Sequence, residues 1–95
     1  MKYGLSESDL GYLVRFFKSY PQIAEVILFG SRAMGNFTPG SDIDLALKCS
    51  QHLAAEIAGK LNESSPLPYH FDIVDYEATP QNLRQHIDRV GKRLI

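Results

Sequence analysis

Residues 42–47 read Asp42-Ile43-Asp44-Leu45-Ala46-Leu47, and they alternate strictly between two kinds of side chain. Two residues along a strand advance about 7 Å and return to the same face. Asp42, Asp44 and Ala46 therefore point one way, and Ile43, Leu45 and Leu47 the other. The apolar side fixes the strand in a core, so the acidic side cannot slip away by a change of register. Two carboxylates held over one volume repel unless a cation lies between them. Aspartate is short and carries hard oxygen donors, which suits magnesium. Taken alone, however, an Asp-x-Asp at a strand edge more often simply faces water.

Upstream, residues 25–29, EVILF, form a second strand that stops at Gly30. Gly30-Ser31-Arg32 follows, where a short helical turn through Ala33 and Met34 can begin. Such a turn offers unpaired N–H groups to a phosphate, with a hydroxyl from Ser31 and a charge from Arg32. A Gly-Ser turn after a strand is by itself a weak signal, since most such turns are only turns. Gly30 and Gly35 match the glycine spacing of a P-loop, but Asn36-Phe37 stands where Lys-Ser or Lys-Thr is required. A calcium loop fails as well, because Ala46 replaces an oxygen ligand.

Downstream, residues 70–76, HFDIVDY, read as a third strand, with Asp72 interrupting an apolar run. A neighbouring strand brings Asp72 within about 5–10 Å of the first acidic pair. Three carboxylates can hold two magnesium ions roughly 3.5–4 Å apart, the arrangement that clamps attacking and leaving oxygens in phosphoryl and nucleotidyl transfer. Asp75 lies on the other side of that strand and reads as a cap or turn residue, not a ligand. His52, His70 and His86 have no metal-ligand spacing, and solvated or core positions are expected for them.

Helices fill the intervals. Ser6 and Asp9 resemble a capping box, and Leu10, Leu13, Val14 and Phe17 recur at helical spacing until Pro21. Residues 36–41, NFTPGS, read as a loop. Ser50 is placed to cap a helix carrying Leu53, Ile57 and Leu61, ended by SSPLP at 64–68. Thr79-Pro80 predicts an N-cap and first helical position for a last helix with Leu83, Ile87 and Val90, and Gly91 a C-terminal cap. Arg84, Arg89, Lys92 and Arg93 make its end basic, as the helix dipole favours. The predicted order is α-β-α-β-α-β-α, an α/β (α+β) layering of helices on a small three-stranded sheet.

Ninety-five residues, 44% hydrophobic and 22% charged, fit one globular domain over 1–95. A net charge of -1 gives no global argument for nucleic acid or membrane. Cys49 is alone, so no disulfide can form within the chain, and a reducing cytoplasm is the expected compartment. The opening MKYGLSESDL has no apolar stretch like that of a signal peptide.

Taken together, Gly30-Ser31, ten further residues, Asp42-x-Asp44 and a later strand Asp72 resemble the signature of the DNA polymerase β nucleotidyltransferase superfamily. The wording ILFGSRAMG…SDIDLAL is similar to that of its minimal members (MNT), the MntA-like antitoxins often paired with a HEPN-domain protein. The resemblance covers roughly residues 20–76. It implies a small mixed sheet, with Asp42 and Asp44 binding two Mg2+ ions. Asp72 would bind one of them and help deprotonate an acceptor hydroxyl. Gly30 and Ser31 would hold the triphosphate of ATP, with Arg32 close by. It also implies transfer of AMP to a hydroxyl, on a HEPN-domain helical partner in a hetero-oligomer. The second helical domain that larger relatives use to hold an acceptor has no counterpart here. Two other readings stay open: a non-catalytic nucleotide-binding antitoxin that acts by contact, and an antibiotic-type enzyme with a small-molecule acceptor.

Overall fold

The first helix forms as its local chemistry requires. The Ser6 hydroxyl accepts from Asp9 N–H at 3.0 Å, and the Asp9 carboxylate accepts from Ser6 N–H at 3.3 Å. That reciprocal box opens α1, Glu7–Lys18, which buries Leu13 and Phe17. The computed structural model describes residues 1–95. After α1 come β1 (Ile23–Phe29), α2 (Gly30–Met34), β2 (Ile43–Cys49), α3 (Ala54–Ser64) and β3 (Phe71–Asp75). A 3₁₀ turn (Tyr76–Ala78), α4 (Gln81–Val90) and β4 (Lys92–Arg93) complete the chain.

The sheet is mixed and has the order β3-β2-β1-β4. β1 runs antiparallel to β2 and β4, whereas β2 and β3 are parallel and joined through α3. A parallel pair needs such a crossover, because a tight hairpin can only reverse the chain.

The alternation read from residues 42–47 sorts the two faces of this sheet. Val26 and Leu28 of β1, Ile43, Leu45 and Leu47 of β2 and Phe71 of β3 pack beneath α1 and α3. The opposite face buries Phe29 and Ala46 against Ile87 of α4, with Ile27, Val74, Leu83 and Val90 around them. Each helix thus covers the apolar stripe its own periodicity provides.

Three expectations are corrected. The sheet has four strands rather than three: Gly91 caps α4 as expected, donating to Ile87 O at 2.8 Å, but in an extended conformation (φ -61°, ψ 145°) that feeds the chain into β4. Two charged residues after a helix carry no alternation, so this strand has no sequence signal of its own. Ser50 does not cap α3. The Asp75 carboxylate does so from the end of β3, accepting from Leu53 and Ala54 N–H at 3.1 Å each. Pro80 occupies the N-cap position of α4 instead of the first helical one, while the Thr79 hydroxyl donates to Tyr76 O at 2.7 Å. No helix is long and apolar enough to cross a membrane.

Candidate active site

At one tip of the sheet β1 ends and β2 and β3 begin. There Phe29 pairs with Asp44 across the antiparallel ladder, and Asp44 pairs with Asp72 across the parallel one. Asp42 lies just before β2, on the same parity as Asp44. All three carboxylates belong to the α4 side of the sheet, in line with Ala46 and Val74. α4 covers the apolar part of that face and leaves Asp42 and Asp72 exposed and Asp44 half-buried.

Electrostatics reports the crowding. The Asp44 carboxyl is held above its ordinary value of 3.8, first by burial, then by the negative charges of Asp72 and Asp42. His70 acts in the opposite sense. Hard oxygen donors with uncompensated like charge fit a divalent cation. As the side chains are oriented here, no three acidic, imidazole or thiol groups stand close enough together to cage an ion. The acidic face is also an open surface. A cavity of about 200 Å³ lies between α1 and the C-terminal segment, and another beside Met1, Phe37 and Tyr69. Neither is lined by the aspartates.

Gly30 is built into this site by exclusion. Its φ is +73°, in the left-handed region. A Cβ there would run into the Asp44 carboxylate, with Asp44 Cγ at 2.9 Å and Oδ2 closer still. The missing side chain is therefore the space that Asp44 occupies. Ser31 follows in the single turn of α2, half-exposed, and Gly35 (φ +89°) closes that turn by donating to Ser31 O at 2.9 Å.

Arg32 departs from the expectation of a cation beside the nucleotide. It is 1% exposed. Its guanidinium donates to Ser41 O (2.9 and 3.1 Å), Tyr3 O (3.0 Å) and Pro39 O (3.2 Å). It also stacks over the rings of Tyr69 (4.9 Å) and Phe37 (5.5 Å). Carbonyl dipoles and aromatic faces replace its hydration, so the charge is committed to pinning the 36–41 loop and the N-terminal turn. Through Ser41 it fixes the backbone immediately before Asp42.

His70, by contrast, is drawn into the site although its spacing gave no reason to expect it. Its carbonyl accepts from Ile43 N–H at 2.9 Å, which extends the parallel ladder by one step and sets His70 opposite Asp42. The side chain is exposed, and its charge reaches Asp44. Parity gives its face, since His70 lies two residues before Asp72, but not its neighbour on β2.

With this geometry in view, the similarities to known proteins are consistent among themselves. No curated protein sequence matches the chain. The crystal structure of a toxin–antitoxin with AMP-PNP aligns with a TM-score of 0.78 at 27% identity, over 92% of this chain and 73% of that one. A mutant MntA–HpeT toxin–antitoxin aligns at 0.75 and 29%, over 96% and 72%. The complex of a tri-AMPylated Shewanella oneidensis HEPN toxin with its MNT antitoxin aligns at 0.70 and 25%, over 90% and 68%. The sequence profile described as "Polymerase beta, Nucleotidyltransferase" matches residues 12–95, so the chain belongs to the polymerase β nucleotidyltransferase family.

Proposed function

We propose that this chain is a magnesium-dependent enzyme that transfers AMP from ATP to a hydroxyl on a HEPN-domain protein, and so acts as its antitoxin. The observation that carries the reading is the uncovered acidic end of the α4-side face, with Asp42, Asp44 and Asp72 beside the Gly30-Ser31 turn. Asp42 and Asp44 would supply the oxygen donors for two magnesium ions, with Asp72 as a third ligand. Bound magnesium would neutralise charge on the triphosphate and on the leaving oxygens.

The chain's own groups have distinct tasks. Gly30 leaves room for the Asp44 carboxylate, and Ser31 offers a hydroxyl to the triphosphate. Asp72 accepts the proton of the acceptor hydroxyl as its oxygen bonds to the α-phosphorus. The bond from that phosphorus to the bridging oxygen breaks, and pyrophosphate leaves with the electron pair. Arg32 touches no reacting atom; it positions Asp42 through Ser41.

An acceptor protein suits an open face. In water, transfer competes with hydrolysis unless something covers the reacting groups. A docked helical partner does both jobs, excluding solvent and presenting its hydroxyl in line. The AMP-PNP and tri-AMPylated toxin complexes of the similar proteins support the same donor and the same kind of acceptor. The added nucleotide brings charge and bulk to the partner, a local switch of its activity.

The test is intact-mass measurement of the HEPN-domain partner after incubation with this protein, ATP and magnesium. A gain of one or more AMP units, lost with Asp42→Asn, is expected. Neutralisation of the partner by Asp42→Asn with no mass change would instead establish the contact-only antitoxin.

A further inference from the structure

We infer that His70 is the acceptor-side contact of the site: its imidazole hydrogen-bonds the incoming hydroxyl group on the flank of the aspartates opposite the Gly30-Ser31 turn. The inference rests on the transfer reaction proposed above and adds to it a residue outside the Gly30-Ser31, Asp42-x-Asp44 and Asp72 motif.

The order of strands carries the argument. Across the tip, β3 stands on one side of β2 and β1 on the other. Gly30 and Ser31 continue β1, so the triphosphate side of the site is the β1 side. Displacement at phosphorus is in line, and the attacking oxygen arrives from the side opposite the departing pyrophosphate. That side is β3. Two residues of β3 and its lead-in share the acidic face, Asp72 opposite Asp44 and His70 opposite Asp42.

Asp72 takes the proton, which leaves orientation of the hydroxyl to be provided. A carboxylate can only accept hydrogen bonds, whereas an imidazole N–H donates one to the hydroxyl oxygen. His70 is the hydrogen-bond donor on the β3 flank of the acidic face. Its side chain is exposed, and the register sets it opposite Asp42 and beside the Asp44–Asp72 pair. Its backbone is held firmly, since its carbonyl pairs with Ile43 and Tyr69 beside it stacks on the buried Arg32 guanidinium. A free side chain on a fixed backbone is suited to meeting a substrate from outside.

The experiment compares wild type with His70→Ala, His70→Asn and His70→Phe. It measures AMP transfer to the HEPN-domain partner, the Kd for ATP with magnesium, and the melting temperature. His70→Ala should lower kcat/KM for the partner about ten-fold, the loss of one hydrogen bond. The Kd for ATP and the melting temperature should not move, because the residue is exposed and lies away from the triphosphate. His70→Asn, with a donor and an acceptor but no ring, should recover part of the loss, and His70→Phe none. Unchanged kcat/KM in His70→Ala, or a weakened Kd for ATP, overturns the assignment while leaving the transferase reading intact. No transfer by the wild-type protein removes that reading, and the His70 role falls with it.

Discussion

Neighbouring residues of β2 belong to two different regimes. Leu45 is fully buried beneath α1 and α3, within the larger of the two core clusters. Asp44, one residue earlier, lies on the face that α4 covers only in part, among charges that oppose its own ionisation. The first face is shaped to be stable and the second is left incomplete. An apolar side chain at position 44 would extend the small cluster of Phe29, Ala46 and Ile87 to the tip of the sheet and gain stability. The sequence instead places aspartates at the end of that stripe. Local departures from the stability optimum of this kind mark sites where a ligand supplies the missing interactions.

Substitutions at the two faces sharpen the contrast. The largest effect is expected in the closed core, where Leu45→Ala should lower stability by about 2–5 kcal/mol, read by chemical denaturation. ATP affinity per folded molecule should change little. Failure to destabilise would mean that the α1 and α3 side is not the core that supports the tip.

Next comes the point where the two regimes touch. Gly30→Ala forces a Cβ into the Asp44 carboxylate at a left-handed φ, so the carboxylate must move. Misplacement of a reacting group by about 1 Å costs on the order of 100-fold in rate. AMP transfer by Gly30→Ala should fall by about that factor, and retention of full transfer would mean that Asp44 need not sit where it does.

The smallest effect has the opposite sign. Because the folded-state pKa of Asp44 lies above its ordinary 3.8, the native state binds the proton more tightly than the unfolded one. The stability contribution of Asp44 therefore falls as pH rises through the window above 3.8. Asp44→Asn should melt slightly higher than wild type near pH 7, with the difference fading as pH approaches 3.8. Added magnesium should raise the wild-type melting temperature and narrow the gap. A lower melting temperature for Asp44→Asn near neutrality would show that the carboxylate stabilises the fold.

What could be read from the sequence follows the range of the interactions involved. The parity of DIDLAL and of HFDIVDY places all three aspartates on one face, because strand alternation is a local property. The Ser6–Asp9 box is local too, and forms as expected. Asp75 was legible as a cap, but the helix it caps begins 21 residues upstream, so its target was not. The burial of Arg32 is hidden from the sequence for the same reason. Its partners Tyr3 and Tyr69 are 29 and 37 positions away, and only the folded chain shows that they enclose it. β4 depends on pairing with β1 and has almost no pattern of its own. His70 owes its position to the parallel register between β2 and β3, and strand pairing across a crossover cannot be read from periodicity.

One property of the acidic face decides the proposed chemistry, its demand for a cation before a nucleotide. Calorimetric titration of the protein with ATP, once with magnesium and once with EDTA, measures that demand. The account predicts clear binding with magnesium, much weaker binding with EDTA, and loss of the difference in the Asp42→Asn, Asp44→Asn double variant. Equal affinity in both buffers, or a magnesium effect that persists in the double variant, would contradict it.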